Sequence, residues 1–168
     1  QAQHYEQHFE CMDADQAFRV PLLAKPKIIG PQRAVVVSSN SSEPYPKDCI
    51  RVQVQFYWDR LFDPAIYQCC SLRVAQQSAG DMRGMQFTPR EGMEVLVYFE
   101  HGDPDRPEIA GMLYNDFQVP PFSLPEKCAL SGFKTHTLGS DDPRRGHRFY
   151  FDDTADNEQI ILSSSGSF

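Results

Sequence analysis

At 168 residues and 19.2 kDa the chain has room for one well-buried core with appendages. Its formal net charge of −7 and pI of about 5.1 disfavour general binding to phosphate backbones. No apolar run approaches the roughly 18 residues that a membrane helix needs.

Thirteen prolines, and no stretch with a helical apolar stripe, predict an all-β protein. Five cysteines (Cys11, Cys49, Cys69, Cys70, Cys128) show no metal-ligand spacing and leave an odd one if paired. They read as small buried hydrophobes in a reducing compartment. The opening Gln1–Phe9 is polar and lacks the apolar region of a signal peptide, which predicts synthesis and folding in a cytoplasm.

Residues 1–30 do not read as a self-contained unit. HYEQHFECM is enough for one short strand, after which Pro21, Pro26 and Pro31 punctuate an extended connector. His4 and His8 are spaced for one helix face, but HYEQH matches neither H-E-x-x-H nor H-x-x-E-H, so they read as surface histidines. Ala34–Ser38 is a short β-branched strand, and Asn40–Asp48 a polar loop.

Ile50–Arg60 is predicted to be the longest strand, the spine of a small barrel. Ile50, Val52, Val54, Phe56 and Trp58 share one parity, opposite Arg51, Gln53 and Gln55. At about 3.3 Å per residue its apolar run is roughly 30 Å long. A loop with Asp63-Pro64 follows, then a strand over Ser71–Gln76 with Leu72 and Val74 inward. Residues from Gly80 to Gly92 read as a loop. Met93–Glu100 sets Val95, Val97 and Phe99 against Glu94, Leu96 and Tyr98, a second face apolar enough to predict partial cover. HGDPDR at 101–106 is a tight turn, and Glu108–Asn115 a strand with a kink or bulge at Gly111. Five short strands with uneven loops fit a Greek-key barrel of the OB type over residues 31–117.

Residues 118–147 read as a proline-rich leash (Val119–Pro125) and a loop. Arg144, Arg145, His147 and Arg148 are flanked by Asp141, Asp142, Asp152 and Asp153, so this basic cluster reads as a solvated turn. Residues 148–168 carry two short strands, Arg148–Phe151 and Gln159–Ser163. Phe149 and Phe151 share a face, as do Ile160 and Leu162, unless Ile161 alone points inward. Two such strands are not stable alone in water, so they require partners from outside the chain.

No phosphate loop, G-x-S-x-G or His/Asp/Cys constellation is present. The carboxylate pairs Asp103/Asp105 and Asp152/Asp153 sit in turns where Asp is a good turn former, which predicts a non-enzyme. An OB barrel that stacks single-stranded nucleic acid on Phe56, Tyr57, Trp58, Tyr98 and Phe99 is the rival reading. The acidic charge, and the shared apolar parity of Phe56, Trp58 and Phe99, count against it.

Several strings, in this order and spacing, resemble the spike proteins of the bacterial type VI secretion system, the valine-glycine repeat (VgrG) family: RVQVQFYWDR (51–60), LRVAQ (72–76), PREGMEVLVYFEHGDPDRPEIAGMLYN (89–115) and RFYFDD with EQIILS (148–163). The connector FRVPLLAKPKIIGPQRAVVV (18–37) looks like the family's link from hub to barrel. Two departures stand out. Ser71 follows Cys70 where a tryptophan is common, and Ala79-Gly80-Asp81-Met82-Arg83-Gly84 replaces a loop like A-G-x-G-W-G.

The resemblance implies a homotrimeric spike in which residues 1–30 end a hub domain and 31–117 form an OB neck. Residues 148–168 would then begin a β-helical or β-prism needle, with Phe149, Phe151, Ile160 and Leu162 at the threefold contact. Implied partners are an Hcp-like tube protein, a PAAR-type tip protein and effectors, with no cofactor, metal or nucleic acid. The spike would assemble in a bacterial cytoplasm and be exported by the type VI machinery, piercing the target membrane rather than binding it. A contractile-phage baseplate spike is the same mechanical role in another machine.

Overall fold

The computed structural model describes residues 4–37, 51–61 and 70–166. The predicted loop Asn40–Asp48, residue Ile50, most of the loop around Asp63-Pro64, and Cys49 and Cys69 lie outside these. Among the described residues there are ten strands: β1 Gln32–Val37, β2 Arg51–Phe56, β3 Cys70–Arg73, β4 Ala79–Gly80, β5 Arg83–Gly84, β6 Glu94–Phe99, β7 Pro107–Leu113, β8 Leu130–Lys134, β9 Arg148–Asp152 and β10 Gln159–Ser163.

Five of them form one antiparallel sheet in the order β3-β2-β1-β6-β7. Its two edges meet through a parallel bridge between Val74 and Ile109, with Ala75 N–H donating to the Ile109 carbonyl at 2.8 Å. An Arg73–Glu108 ion pair spans the same seam. This edge-to-edge contact curls the sheet into an OB-type barrel, and closure removes the open edges that invite aggregation.

Alternation explains the core. Ala34 and Val36 of β1, Val52 and Val54 of β2, Leu72 of β3, Val95, Val97 and Phe99 of β6, and Ile109 of β7 are all buried. A bulge makes β7 fit: Leu96 pairs with Gly111 but Val97 pairs with Ile109, leaving Ala110 as the extra residue beside the glycine.

The spine strand is shorter than its pattern predicts. After Phe56 the chain turns, with Asp59 N–H donating to the Phe56 carbonyl at 3.0 Å. Trp58 is therefore 60 % exposed rather than in the core, its ring stacked 4.9 Å from that of Phe56. Three further expectations are corrected: Cys11 and Cys128, read as buried, are exposed. The stretch from Gly80 to Gly92 is not all loop, because β4 and β5 make a small hairpin. No strand occurs within residues 4–31.

The connector is docked, not free. Ile28 N–H donates to the Gly102 carbonyl at 2.9 Å, and Lys25 Nζ reaches Asp103 at 2.5 Å and Asp105 at 2.6 Å. The HGDPDR turn receives it because His101 (φ 55°) and Gly102 (φ 75°) both adopt the left-handed conformation, which turns the Gly102 carbonyl toward the incoming connector.

The last three strands form a separate antiparallel sheet, ordered β10-β9-β8. From sequence, β9 and β10 had no partner in the chain. Leu130–Lys134, read as part of a loop, supplies one.

Candidate assembly face

Directly opposed residues of an antiparallel sheet share a face. Phe151 opposes Ser131 and Ile160, and Phe149 opposes Phe133 and Leu162. The four residues predicted from parity thus lie together on one face, joined by Phe133, which the sequence reading missed. Only Phe133 itself signalled it, two residues from Ser131 on the same parity, and the glycine between them masked the strand.

This face is bare. Ile160 is 70 % exposed, Leu162 63 %, Phe133 44 % and Phe151 41 %. An aromatic row runs across it, with ring centroids 5.7 Å apart for Phe133–Phe149 and 5.3 Å for Phe149–Phe151. Phe87 of the barrel continues the row, edge-on to Phe133 at 5.8 Å. On the opposite face the chain itself supplies an aromatic contact. Phe122 of the proline-rich leash packs on Tyr150 at 5.2 Å, and Gly132 lets the Tyr150 side chain lie over the strand. A Cβ on Gly132 would sit 2.5 Å from the Tyr150 Cα.

The other predicted sites resolve into structural roles. Asp103 and Asp105 both grip Lys25. The Lys25 hydrogen bond, followed by the Asp105 N–H, holds the Asp103 carboxyl below its usual range, while bonds to Asp103 and Asp105 raise the Lys25 ammonium. Asp152 accepts from the Thr154 amide at 3.1 Å and from its hydroxyl at 2.6 Å, as a turn former does. Arg144 pairs with Asp142 through two bonds of 3.1 Å and lowers its carboxyl. His4 and His8 flank Glu6 on an exposed stretch, His8 at 3.2 Å. Among the described residues no cluster of three metal-ligating side chains occurs.

The five aromatics of the nucleic-acid reading do not form one surface. Phe99 is buried and Phe56 half-buried, while Tyr57, Trp58 and Tyr98 are exposed. Arg33, the cation that stacks here, sits 5.5 Å from the Tyr57 ring centroid and is paired with Glu94. Burial first, then the Glu94 carboxylate, raises the Tyr57 hydroxyl. An acid beside the aromatic is the wrong sign for a phosphate backbone.

Glu94 is the feature that the sequence concealed. It lies on the outer parity of β6 yet is only 4 % exposed. Asn115 Nδ2 donates to it at 2.7 Å, and Arg33 approaches at 3.4 Å.

A curled five-stranded sheet of OB type is followed by a short sheet with one bare apolar face. Residues 32–114 match the type VI secretion system/phage-baseplate injector OB domain. The chain belongs to the VgrG family of type VI secretion spike proteins. It is 37% identical over 159 residues to the type VI secretion system spike protein VgrG1a of Pseudomonas aeruginosa, covering 94% of this chain and 25% of that protein. It is 35% identical over 161 residues to the spike protein VgrG3 of Vibrio cholerae, covering 94% of this chain and 15% of that one. The actin cross-linking toxin VgrG1 of Vibrio cholerae is 34% identical over 167 residues, 98% of this chain and 15% of the toxin. The chain therefore spans about a quarter or less of the length of these relatives.

Proposed function

We propose that this segment is the neck and needle base of a trimeric puncturing spike, with a mechanical rather than an enzymatic role. The observation that carries it is the bare apolar face of β8–β10, while on the other face the leash packs Phe122 on Tyr150. Three such faces turned toward a common axis would bury Phe149, Phe151, Ile160 and Leu162, with Phe133 beside them. Symmetric burial of equivalent short strands supplies the stability that one sheet lacks. Winding of these strands into a β-helical needle would extend the same contact along the axis.

Residues 1–30 act as the hub's last segment, 31–117 as the neck, 118–147 as leash and loop, and 148–168 as the first needle strands. The tube protein would sit on the hub side, and a tip protein at the far end of the needle. Effectors ride on parts of the spike beyond this segment; the toxin name carried by one relative supports such cargo. Assembly would take place in the bacterial cytoplasm, before export by the type VI machinery. The matching family spans secretion and phage injectors, and the spike names of the relatives favour the secretion machine.

Light scattering of the chain at micromolar concentration tests this. A three-chain mass is expected, reduced to a single chain in the double variant Ile160→Ser, Leu162→Ser. A single-chain mass for the unaltered protein would overturn the trimeric contact.

A further inference from the structure

The sequence block P-R-x-G-x-E-V, Pro89–Val95, places Arg90, Gly92 and Glu94 two residues apart. All three meet chain that has already left the barrel. Arg90 Nη1 donates to the His136 carbonyl at 2.9 Å, beyond β8. Gly92 (φ +81°) has the Gln118 side-chain amide above it, 3.8 Å from where a Cβ would stand. Glu94 accepts from Asn115 Nδ2 at 2.7 Å. Asn115 in turn folds the exit: its Oδ1 accepts from the Phe117 and Gln118 amides at 2.9 and 2.8 Å, and its own N–H donates to the Gln118 carbonyl at 3.1 Å.

We infer that Arg33, Glu94 and Asn115 form a positioning clasp that fixes the direction in which the chain leaves the barrel. A carboxylate that is 4 % exposed must keep its donors, because leaving it unpaired costs more than a typical hydrogen bond returns. Arg33 of β1 supplies charge from one side, and Asn115 the short bond from the other. The Asx turn at Asn115 cannot swing away without stripping Glu94 of that donor. Backbone direction after Leu113 is thus tied to the barrel wall, and Arg90 adds a second tie further along. Coupled to the mechanical reading above, the clasp would let axial force enter the sheet from the barrel wall rather than through a slack leash. The clasp itself does not depend on trimer formation.

A charge swap tests it. Asn115→Asp keeps the oxygen that caps the Phe117 and Gln118 amides, but turns a second oxygen on the Glu94 carboxylate. Chymotryptic cleavage after Phe117, which is 93 % exposed, is read by fragment mass in dilute solution. We expect cleavage to accelerate about tenfold in Asn115→Asp, the scale of one lost buried hydrogen bond. Adding Glu94→Gln reverses the donor direction, since the new side-chain amide at position 94 can donate to the new carboxylate at position 115. The double variant should return the rate to within about twofold of the unaltered chain. Should Asn115→Asp alone fail to fold, recovery of the folded barrel in the double variant reads the same pairing. An unaccelerated Asn115→Asp, or a double variant no better than the single, overturns the clasp. Trimer failure leaves this result untouched, because the measurement is made on single chains.

Discussion

Lys25 shows how single charges set the entry to the barrel. Its ammonium bridges Asp103 and Asp105, and beside it the Ile28 amide is bonded to Gly102. The Asp103 carboxyl is depressed, so its stabilising share is complete above the ordinary aspartate value of about 4 and is lost as pH falls through the lower folded value. The Lys25 ammonium is raised, so its share is complete below about 10.4 and is lost as pH climbs past the folded value. Protection of the Ile28 amide, corrected for intrinsic exchange, should therefore be flat at neutral pH and fall in acid below about 4. In Lys25→Met protection should be low throughout, with no acid step. An acid step that survives Lys25→Met would break the link between the charge pair and the docked connector.

At the scale of elements, the barrel was legible because each strand is half-buried and its apolar residues keep strict parity. Val52 and Val54, or Val95, Val97 and Phe99, could be assigned inward from spacing alone. Trp58 was misplaced because parity says nothing of where a strand stops; the turn after Phe56 depends on a backbone bond to Asp59. Glu94 was unreadable for a different reason. Its partners Asn115 and Arg33 come from far apart in sequence, and no local pattern encodes that meeting. The same limit hid β8, whose Leu130 and Phe133 fall on opposite faces around Gly132. That glycine is the element's weak point: at φ +154° a Cβ would overlap the Phe149 carbonyl oxygen and stand 2.5 Å from the Tyr150 Cα. Gly132→Ala should detach β8 from β9 while leaving the barrel intact. Amide exchange in β8 and β9 should rise by about tenfold or more, the scale of a 1–3 kcal/mol backbone strain. Unchanged β6 amides complete the expected pattern, and protection retained in β8 would show that the sheet does not need the bare glycine.

Taken as a molecule, the chain is two units with unequal means of support. Among the described residues the barrel owns a core of nine buried hydrophobic side chains, whereas β8–β10 contribute none to it. In dilute solution the small sheet should open first on heating, well before the amides of Val95 and Val97 exchange. Its protection should rise with protein concentration, since association stabilises only the state that presents the face. Equal protection of sheet and barrel at every concentration would mean that the sheet is held within one chain. The family assignment adds what the sheet alone does not state: relatives of several times this length carry the same segment within a spike.

The Phe122–Tyr150 contact limits how copies can stack. A sheet that is sticky on both sides can stack without end, as fibres do. Here the proline-rich segment sets its own phenyl ring against Tyr150, so a copy docking on that side meets Phe122 as well as the sheet.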